Sequence, residues 1–248
     1  MKVSIITVVY NNERYIDQAI KSVLSQDYPD IEYIVKDGGS KDNTMEVVNR
    51  YKDRIAKISS ERDKGIYDAM NRGIEMTTGE VVGILNSDDI YYDTHTISNI
   101  MQVFKENPDV DAVYGNIVYF RENDFDKVVR TWRTRQYVKN FFERGEVPPH
   151  PGLFVRKAVY DKIGTYYPNF KISSDYEFML RAFRVNNYKP YFLDKTIVKM
   201  RMGGESTRSI KNIMLGNREI MQAWKMNKLP VPALLYAYRV VKKLKQLV

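Results

Sequence analysis

The N-terminal part of the chain alternates short apolar runs with amphipathic helical patterns. Val3–Val9 is an apolar, β-branched run, and similar runs occupy residues 31–35, 55–60 and 81–85. Continuous apolar runs of this length are typical of buried parallel strands. Residues 13–27, 45–54 and 66–74 carry apolar residues at the spacing of one helical face, with Asn12 as the expected N-cap of the first helix. The alternation predicts an α/β fold with a mostly parallel central sheet flanked by helices.

Polar side chains follow these predicted strands at their carboxyl ends. Asp37 follows the second strand, and Asn86, Ser87, Asp88 and Asp89 follow the fourth. Open α/β sheets bind ligands beyond the carboxyl ends of their strands. Adjacent carboxylates repel each other, and a cation held between them and a phosphate offsets that repulsion. The pattern indicates a metal-diphosphate site, with an Asp-rich turn as the alternative.

Five motifs then occur in a fixed order along the chain. They are SIITVVYNN at residues 4–12, SVLSQ at 22–26, DGGSKDNT at 37–44, KGIYDAMNRG at 64–73 and NSDD at 86–89. Together they resemble the family 2 glycosyltransferases of the GT-A fold. One departure is visible, because many relatives carry an aspartate where this chain has Asn86. A metal site here therefore relies on the last two carboxylates of the motif.

The resemblance implies a nucleoside diphosphate sugar, with UDP favoured, lying across the strand ends. Asp37 would accept a hydrogen bond from the uracil ring, Asp88 would face the ribose or the metal, and Asp89 would ligate Mn²⁺ or Mg²⁺. A turn-capping role is the alternative for Asp37. The other residues expected at the donor are Thr7, Val9, Tyr10, Asp63, Lys64 and Gly204. For Lys64, a solvated surface lysine is the alternative.

The second half of the chain is expected to supply the acceptor site and the catalytic base. An apolar strand is predicted over residues 112–120, and residues 121–135 form a charged loop or edge hairpin near the acceptor. Ser173 or Ser174 is expected to cap a helix that places Asp175 in its first turn. The family resemblance implies that Asp175 deprotonates the acceptor hydroxyl, although Ser174 replaces the first acid of the family's acidic pair. Glu177 is the alternative base.

His150 lies in a rigid Pro-Pro-His-Pro-Gly segment. Its imidazole could face the diphosphate or the acceptor. A simple turn residue with a satisfied ring is an equal alternative.

Composition limits the remaining possibilities. The 248 residues contain no cysteine, and no run approaches the ~20 apolar residues of a spanning helix. The cytoplasm is the expected location. A processive, membrane-embedded synthase is disfavoured, because its spanning helices and its Gln-x-x-Arg-Trp motif are both missing. Transfer of one sugar per acceptor is the better interpretation.

The net charge of +8 is concentrated in the C-terminal tail. From Ser206 onward the chain holds nine Lys or Arg residues against Glu219 alone. Apolar residues from Leu234 to Leu244 share a helical face beside this charge, which is typical of a helix that binds an anionic membrane surface, here the inner leaflet. Packing on the catalytic domain is the alternative. Nucleic acid is disfavoured, since no base-reading module accompanies the charge.

The sequence thus predicts a GT-A catalytic domain over residues 1–205 and a basic helical extension over residues 206–248. Residues 1–107 would form the nucleotide-sugar half and residues 108–205 the acceptor half. The predicted activity is inverting, metal-dependent transfer of one sugar to a hydroxyl of a saccharide or lipid-linked acceptor, in cell-surface polysaccharide or glycolipid biosynthesis. A catalytically silent nucleotide-sugar-binding scaffold is the alternative. A sugar nucleotidyltransferase is disfavoured, because no Gly-rich activation loop follows the first strand.

Overall fold

One mixed sheet organises the fold. The structure is a computed structural model that describes residues 1–121, 124–203 and 209–244. Across these residues the strands are β1 (Val3–Val9), β2 (Ile31–Asp37), β3 (Lys57–Ser60), β4 (Val81–Asn86), β5 (Ile90–Tyr91), β6 (Ala112–Arg121), β7 (Asp124–Trp132), β8 (Leu153–Arg156) and β9 (Pro190–Arg201). They follow the order β3-β2-β1-β4-β8-β6-β9-β5, and β7 pairs with β6.

The direction of strand pairing changes across the sheet. Strands β1 to β4 are mutually parallel, with β1 between β2 and β4. Strand β8 is antiparallel to both β4 and β6, β5 is antiparallel to β9, and β9 runs parallel to β6. The predicted parallel arrangement therefore describes the N-terminal half, while the C-terminal half is mixed.

Helices cover the sheet. They are α1 (Ile16–Leu24), α2 (Thr44–Asn49), α3 (Ile66–Glu75), α4 (Thr96–Glu106), α5 (Lys157–Ile163), α6 (Ser174–Met179), α7 (Ile210–Met226) and α8 (Leu235–Leu244). Short 3₁₀ turns occupy Lys52–Arg54 and His150–Gly152, and a π-helical turn over Leu180–Val185 continues α6.

Two expected helix caps are wrong. Helix α1 begins at Ile16 without a side-chain cap, and the Asn12 side chain instead donates to Ser87 Oγ at 2.8 Å. Helix α6 also lacks a side-chain cap, because Ser173 Oγ donates to the Gly216 carbonyl and Ser174 Oγ to the Tyr167 carbonyl. In each case the polar side chain bonds a residue outside the first turn of its helix.

The two faces of the sheet are both buried. Ile5 on β1 packs in a cluster with Ile100 and Phe104 of α4. Its neighbour Ile6 packs on the other face with Met70 of α3. Because successive side chains of a strand point to opposite faces, burial on both sides requires the continuous apolar run seen in the sequence.

The C-terminal helices pack on the catalytic domain. Ile220, Ala223 and Trp224 of α7 belong to the same buried cluster as Phe178 of α6. Trp224 Nε1 donates to the Tyr176 hydroxyl at 2.9 Å. Helix α7 and Leu235 of α8 thus contribute to the same buried cluster as α6.

Within the described ranges, no helix has both the length and the apolar character that crossing a bilayer requires.

Candidate active site

Three loops meet at the carboxyl ends of β1, β2 and β4. Gly38 N donates to the Val9 carbonyl at 2.9 Å and ties the β2 loop to β1. Asn12 donates its backbone N–H to Thr44 Oγ1 and its side-chain amide to Ser87 Oγ, each at 2.8 Å. Asn12 therefore connects the loops after β2 and β4. This edge is where the sequence predicts the donor site.

Asp37 is fully buried at the end of β2. Its Oδ2 accepts hydrogen bonds from Gly39 N and Ser40 N, both at 3.0 Å, and from Ser60 Oγ at 2.6 Å. Its Oδ1 accepts a hydrogen bond from Ser40 Oγ, so both carboxylate oxygens already have donors from the protein and the expected uracil contact would compete with them. The geometry matches the turn-capping alternative.

Tyr10, Gly38 and Asp63 lie against one another next to this turn, and we call these three residues the cradle. A Cβ atom placed on Gly38 would collide with the Asp63 carboxylate and lie 3.4 Å from Tyr10 Cδ2. Tyr10 is 59% exposed, whereas Thr7 and Val9 are buried inside β1. Lys64 is exposed at the surface. Of the residues predicted around the base, Tyr10 and Asp63 therefore belong to the cradle.

Asp88 and Asp89 follow β4 as predicted, and Asp89 is almost fully buried. Asp89 accepts hydrogen bonds from Asn86 Nδ2 and from Arg201 N, each at 3.1 Å. Burial, followed by the charge of Asp88, raises the pKa of Asp89 to about 7. Burial also raises the pKa of Asp88. Both carboxylates thus occupy a site that disfavours uncompensated negative charge.

The residues at this turn fit a divalent cation that a diphosphate would help to bind. Among the described residues, no cluster of three or more His, Cys, Asp or Glu side chains could hold a metal ion alone. Mg²⁺ in proteins is commonly held by one or two carboxylates together with substrate phosphates. Asn86 Oδ1 is buried and lacks a hydrogen-bond partner within the described part of the chain. Two carboxylates and an amide oxygen are the hard oxygen donors that Mg²⁺ and Mn²⁺ prefer.

Asp175 lies in the first turn of α6, as the sequence predicts. Its Oδ1 accepts a hydrogen bond from the Tyr67 hydroxyl at 2.9 Å, and its Oδ2 lies 2.8 Å from His150 Nδ1. The sequence left the role of His150 open and assigned no site role to Tyr67. Neither contact had a local signal, because the partners come from α3 and from the turn before β8.

The Asp175–His150 pair is electrostatically coupled. Burial alone would raise the pKa of the Asp175 carboxyl, but the charge and hydrogen bond of His150 and the hydrogen bond of Tyr67 outweigh it, so the pKa lies below its usual value. Burial lowers the pKa of His150, but Asp175 and then Asp89 outweigh it, so that pKa lies above its usual value. The arrangement favours a carboxylate beside an imidazolium.

Glu177, the alternative base, has a structural role instead. It is only 3% exposed, and its carboxylate lies 2.9 Å from Arg181 Nε and 3.1 Å from Asn227 Nδ2. An acceptor hydroxyl would have to displace these partners. Asp175 is the carboxylate of α6 that faces a cleft.

Glu219 of α7 supports the start of α6. Its buried carboxylate accepts hydrogen bonds from the backbone N–H groups of Lys171, Ile172 and Ser173, at 2.8 to 2.9 Å. Because these residues lead directly into α6, Glu219 fixes the segment that carries Asp175. In the sequence Glu219 is only the single acid of a basic tail, so its role was missed.

A cleft of about 420 Å³ opens beside Asp175 and His150. Its walls come from the end of the β6–β7 hairpin and from α6, α7 and α8. The hairpin confirms the edge-hairpin prediction for residues 121–135. Trp132 of β7 lines the cleft together with Tyr236 of α8. The predicted donor contact Gly204 lies outside the described residues.

Comparison with known proteins agrees with this architecture. The family model described as Glycosyl transferase family 2 matches residues 4–164. A PGL/p-HBAD biosynthesis glycosyltransferase of Mycobacterium bovis is 28% identical over 183 residues, which cover 73% of this chain and 69% of that protein.

Two solved structures show the same fold. One is S. aureus TarS 1-349 in complex with UDP-GlcNAc, with a TM-score of 0.70, 20% identity, and coverage of 99% of this chain and 73% of that chain. The other is glucosyl-3-phosphoglycerate synthase from Mycobacterium tuberculosis in complex with Mn²⁺, UDP and phosphoglyceric acid, with a TM-score of 0.65, 15% identity, and coverage of 92% and 79%. The chain therefore belongs to glycosyl transferase family 2 and is a glycosyltransferase of the GT-A fold.

Proposed function

We propose that this glycosyltransferase moves one sugar from a UDP-sugar to a hydroxyl acceptor, with inversion at the anomeric carbon and with a divalent cation. The observation that carries the proposal is the Asp175 carboxylate, held ionised at the wall of an open cleft by Tyr67 and His150. A transferase that deprotonates a hydroxyl needs such a carboxylate within hydrogen-bond reach of the acceptor.

The donor would lie along the carboxyl ends of β1, β2 and β4. Its uracil would lie against Tyr10 and Asp63 of the cradle, since Asp37 is engaged in its own turn. Its diphosphate would lie near Asp88 and Asp89, which would hold Mn²⁺ or Mg²⁺. The cation would supply Lewis-acid stabilisation of charge on the diphosphate. Neighbours of the same fold that hold UDP-GlcNAc or UDP support a UDP-sugar donor by analogy.

In the transfer step, the acceptor oxygen would form a bond to the anomeric carbon as its proton passes to Asp175. The bond from the anomeric carbon to the diphosphate oxygen would break, and its electron pair would leave with UDP. The charges of Asp175 and Asp89 both raise the pKa of His150. As an imidazolium, His150 would stabilise the negative charge that develops between the two sites.

A peripheral position at a membrane is part of the proposal. Leu235 at the start of α8 is buried against the domain, but Leu234 just before the helix and Val240 within it are more than half exposed. Apolar exposure beside basic residues suits an anionic lipid surface. Flotation with phosphatidylserine vesicles should carry the protein upward, and a Leu234→Ser, Val240→Ser double variant should float less. Equal flotation of both proteins would contradict this part of the proposal.

The proposal as a whole can be tested by Mn²⁺-dependent hydrolysis of a panel of UDP- and GDP-sugars, followed by nucleoside diphosphate release. We expect release with one UDP-sugar, loss of release with EDTA, and loss in the Asp89→Ala variant. The matched control is Asp53→Ala. Asp53 is an exposed aspartate in the turn before the amino end of β3, away from the carboxyl ends of the strands. Full activity of Asp89→Ala or of EDTA-treated protein would contradict the metal assignment.

A further inference from the structure

A lysine is buried within strand β2. The apolar run of this strand ends at residue 35 in the sequence, but β2 continues to Asp37 and includes Lys36. Lys36 is only 1% exposed. It shares a face of the strand with Ile34, which packs in the same cluster as Met70 of α3. An ammonium group in such a place is costly unless hydrogen bonds and opposite charge compensate it.

The ammonium group of Lys36 joins the ends of two strands. Its Nζ donates to the Asp37 carbonyl at 2.7 Å, at the end of β2, and to the Glu61 carbonyl at 3.0 Å, just after β3. The Glu61 N–H in turn donates to the Asp37 carbonyl at 3.1 Å. Lys36 therefore fixes the first residue of the loop that leads from β3 to α3.

That loop carries the carboxylate of the cradle. Asp63 Oδ1 accepts a hydrogen bond from Gly65 N at 2.9 Å. Asp63 Oδ2 is the atom with which a Cβ on Gly38 would collide, and it accepts no hydrogen bond within the described part of the chain. Oδ2 is therefore the oxygen that can accept a hydrogen bond from a ligand N–H.

The charges around Lys36 connect it to the same carboxylate. Burial lowers the pKa of Lys36, and the strongest opposing effect is the negative charge of Asp63, followed by that of Glu61. The Arg72 guanidinium acts in the same direction as burial, because it is a second cation nearby. Attraction between opposite charges is mutual, so the Lys36 ammonium also stabilises the Asp63 carboxylate in its place.

We propose that Lys36 is a positioning residue for donor binding, which holds residues 61–65 and so places the Asp63 carboxylate where the uracil binds. The inference rests on the proposed function, because it takes Asp63 as a contact of the UDP-sugar. An apolar side chain would fill the buried strand equally well. It would, however, leave the Glu61 carbonyl without this donor and Asp63 without its counter-charge.

The Lys36→Met variant tests this role by calorimetric titration with UDP and Mg²⁺. Methionine is close to lysine in size, but it cannot donate a hydrogen bond and carries no charge. We expect UDP to bind about tenfold more weakly, the effect of losing a charge-assisted hydrogen bond that holds the contact residue. In donor hydrolysis the loss should appear in KM for the UDP-sugar rather than in kcat, since Asp175 has its own partners in Tyr67 and His150.

A double-mutant cycle shows whether Lys36 acts through Asp63. Asp63→Ala alone should weaken UDP binding by about tenfold. Adding Lys36→Met to Asp63→Ala should then change UDP affinity by less than about twofold, because the carboxylate that Lys36 positions is already absent. A lysine that only stabilises the fold would give the same further loss in both backgrounds.

Lys57→Met is the matched control. Lys57 begins the neighbouring strand β3, donates to the Met76 carbonyl at 2.6 Å and lies 2.9 Å from the Glu32 carboxylate. Because the amino end of β3 is opposite the donor edge, the control should lower the Tm and keep UDP affinity within about twofold of wild type. Lys36→Gln, which retains an N–H donor without the charge, is the second variant if Lys36→Met does not fold, and it should also bind UDP more weakly.

Wild-type UDP affinity in a folded Lys36→Met or Lys36→Gln variant would overturn the proposal. An equal further loss in the wild-type and Asp63→Ala backgrounds would also overturn it, because Lys36 would then not act through Asp63. The same conclusion would follow if Asp63→Ala alone left UDP binding unchanged. Failure of the wild-type protein to bind UDP or to hydrolyse a UDP-sugar would instead count against the proposed function.

Discussion

The carboxylate of Asp175 illustrates how a site residue depends on distant parts of the chain. The sequence predicts its place in the first turn of α6, and the structure confirms that place. Its partners Tyr67 and His150 lie on other elements, and no local pattern connects them to Asp175. Local spacing can place a carboxylate on a helix, but only the packed fold determines which side chains tune its charge.

The Asp175→Asn variant tests the base directly. The amide keeps the shape of the side chain but cannot accept the acceptor proton, so we expect kcat to fall by ~10²–10⁴-fold. UDP binding, measured by calorimetry, should change little, because Asp175 would not contact the donor nucleotide. A kcat within a few-fold of wild type would contradict the assignment.

His150→Asn tests the coupling within the pair. The amide can still donate to Asp175 but carries no charge, so burial should dominate and raise the pKa of Asp175. A base must be deprotonated to act. Because the folded pKa of Asp175 is depressed in the wild type, the acid limb of kcat/KM should move to higher pH in the variant. An unchanged or lower acid limb would refute the coupling.

Asp37 and Asp63 have different expected roles. Asp37 caps its own turn, whereas Asp63 belongs to the cradle beside that turn. Asp37→Asn places an N–H group against the donors of its own turn, so we expect a loss of about 1–3 kcal/mol of stability.

Asp63→Ala should leave the Tm unchanged and weaken UDP binding by about tenfold, the loss of one charge-assisted hydrogen bond. Thermal unfolding and calorimetry on both variants check this. Weaker UDP binding in Asp37→Asn at an unchanged Tm would restore the direct uracil role.

At the scale of secondary-structure elements, the sequence predicts strands well where both faces of the sheet are covered, because such strands are continuous apolar runs. Strands β1, β2 and β4 lie close to their predicted ranges for this reason, and helix α3 lies close to the range of its amphipathic pattern. Strand β9 was missed because it carries Asp194, Lys195 and Lys199 and so lacks a continuous apolar run. Yet β9 delivers Arg201, whose backbone N–H donates to Asp89. A strand without a clear sequence signal thus supplies one of the hydrogen bonds that hold Asp89 in its turn.

Glu219 of α7 holds the segment before α6, so a change at this residue is expected to affect both helices. Glu219→Gln replaces one acceptor oxygen with an amide that faces backbone N–H donors, which should cost about 1–3 kcal/mol. The Tm should fall by about 2–4 °C for each kcal/mol in a chain of this size. Because the α6 start carries Asp175, kcat should fall as well, while UDP affinity is retained. Glu75→Gln, an exposed glutamate, is the control; equal Tm and kcat for both variants would contradict the positioning role.

At the scale of the whole molecule, α7 and Leu235 of α8 lie in the same buried cluster as α6. The sequence placed a boundary at residue 205 because the charge changes there, but charge describes the surface and not the core. Trp224 is 1% exposed within the cluster around α6. Its side chain cannot be assigned to that core from a helical pattern alone, because the pattern does not identify the surface it packs against.

The Trp224→Ala variant tests whether the C-terminal helices unfold together with the rest of the protein. Removing a buried tryptophan should cost about 3–5 kcal/mol, and the single unfolding transition of the whole domain should move to lower temperature. The matched surface change is Met214→Ala, at an exposed position of the same helix. A main transition that stays in place, with only a minor one shifted, would indicate a separate C-terminal unit.

The central claim is inverting transfer with Asp175 as base, and the most direct measurement is proton NMR of UDP-sugar hydrolysis at early time points. Water replaces the acceptor in this reaction, so the configuration of the first released sugar reports the stereochemical course. From an α-linked donor we predict the β-anomer from wild type and its loss in Asp175→Asn. Initial release of the α-anomer, or undiminished hydrolysis by Asp175→Asn, would contradict the account.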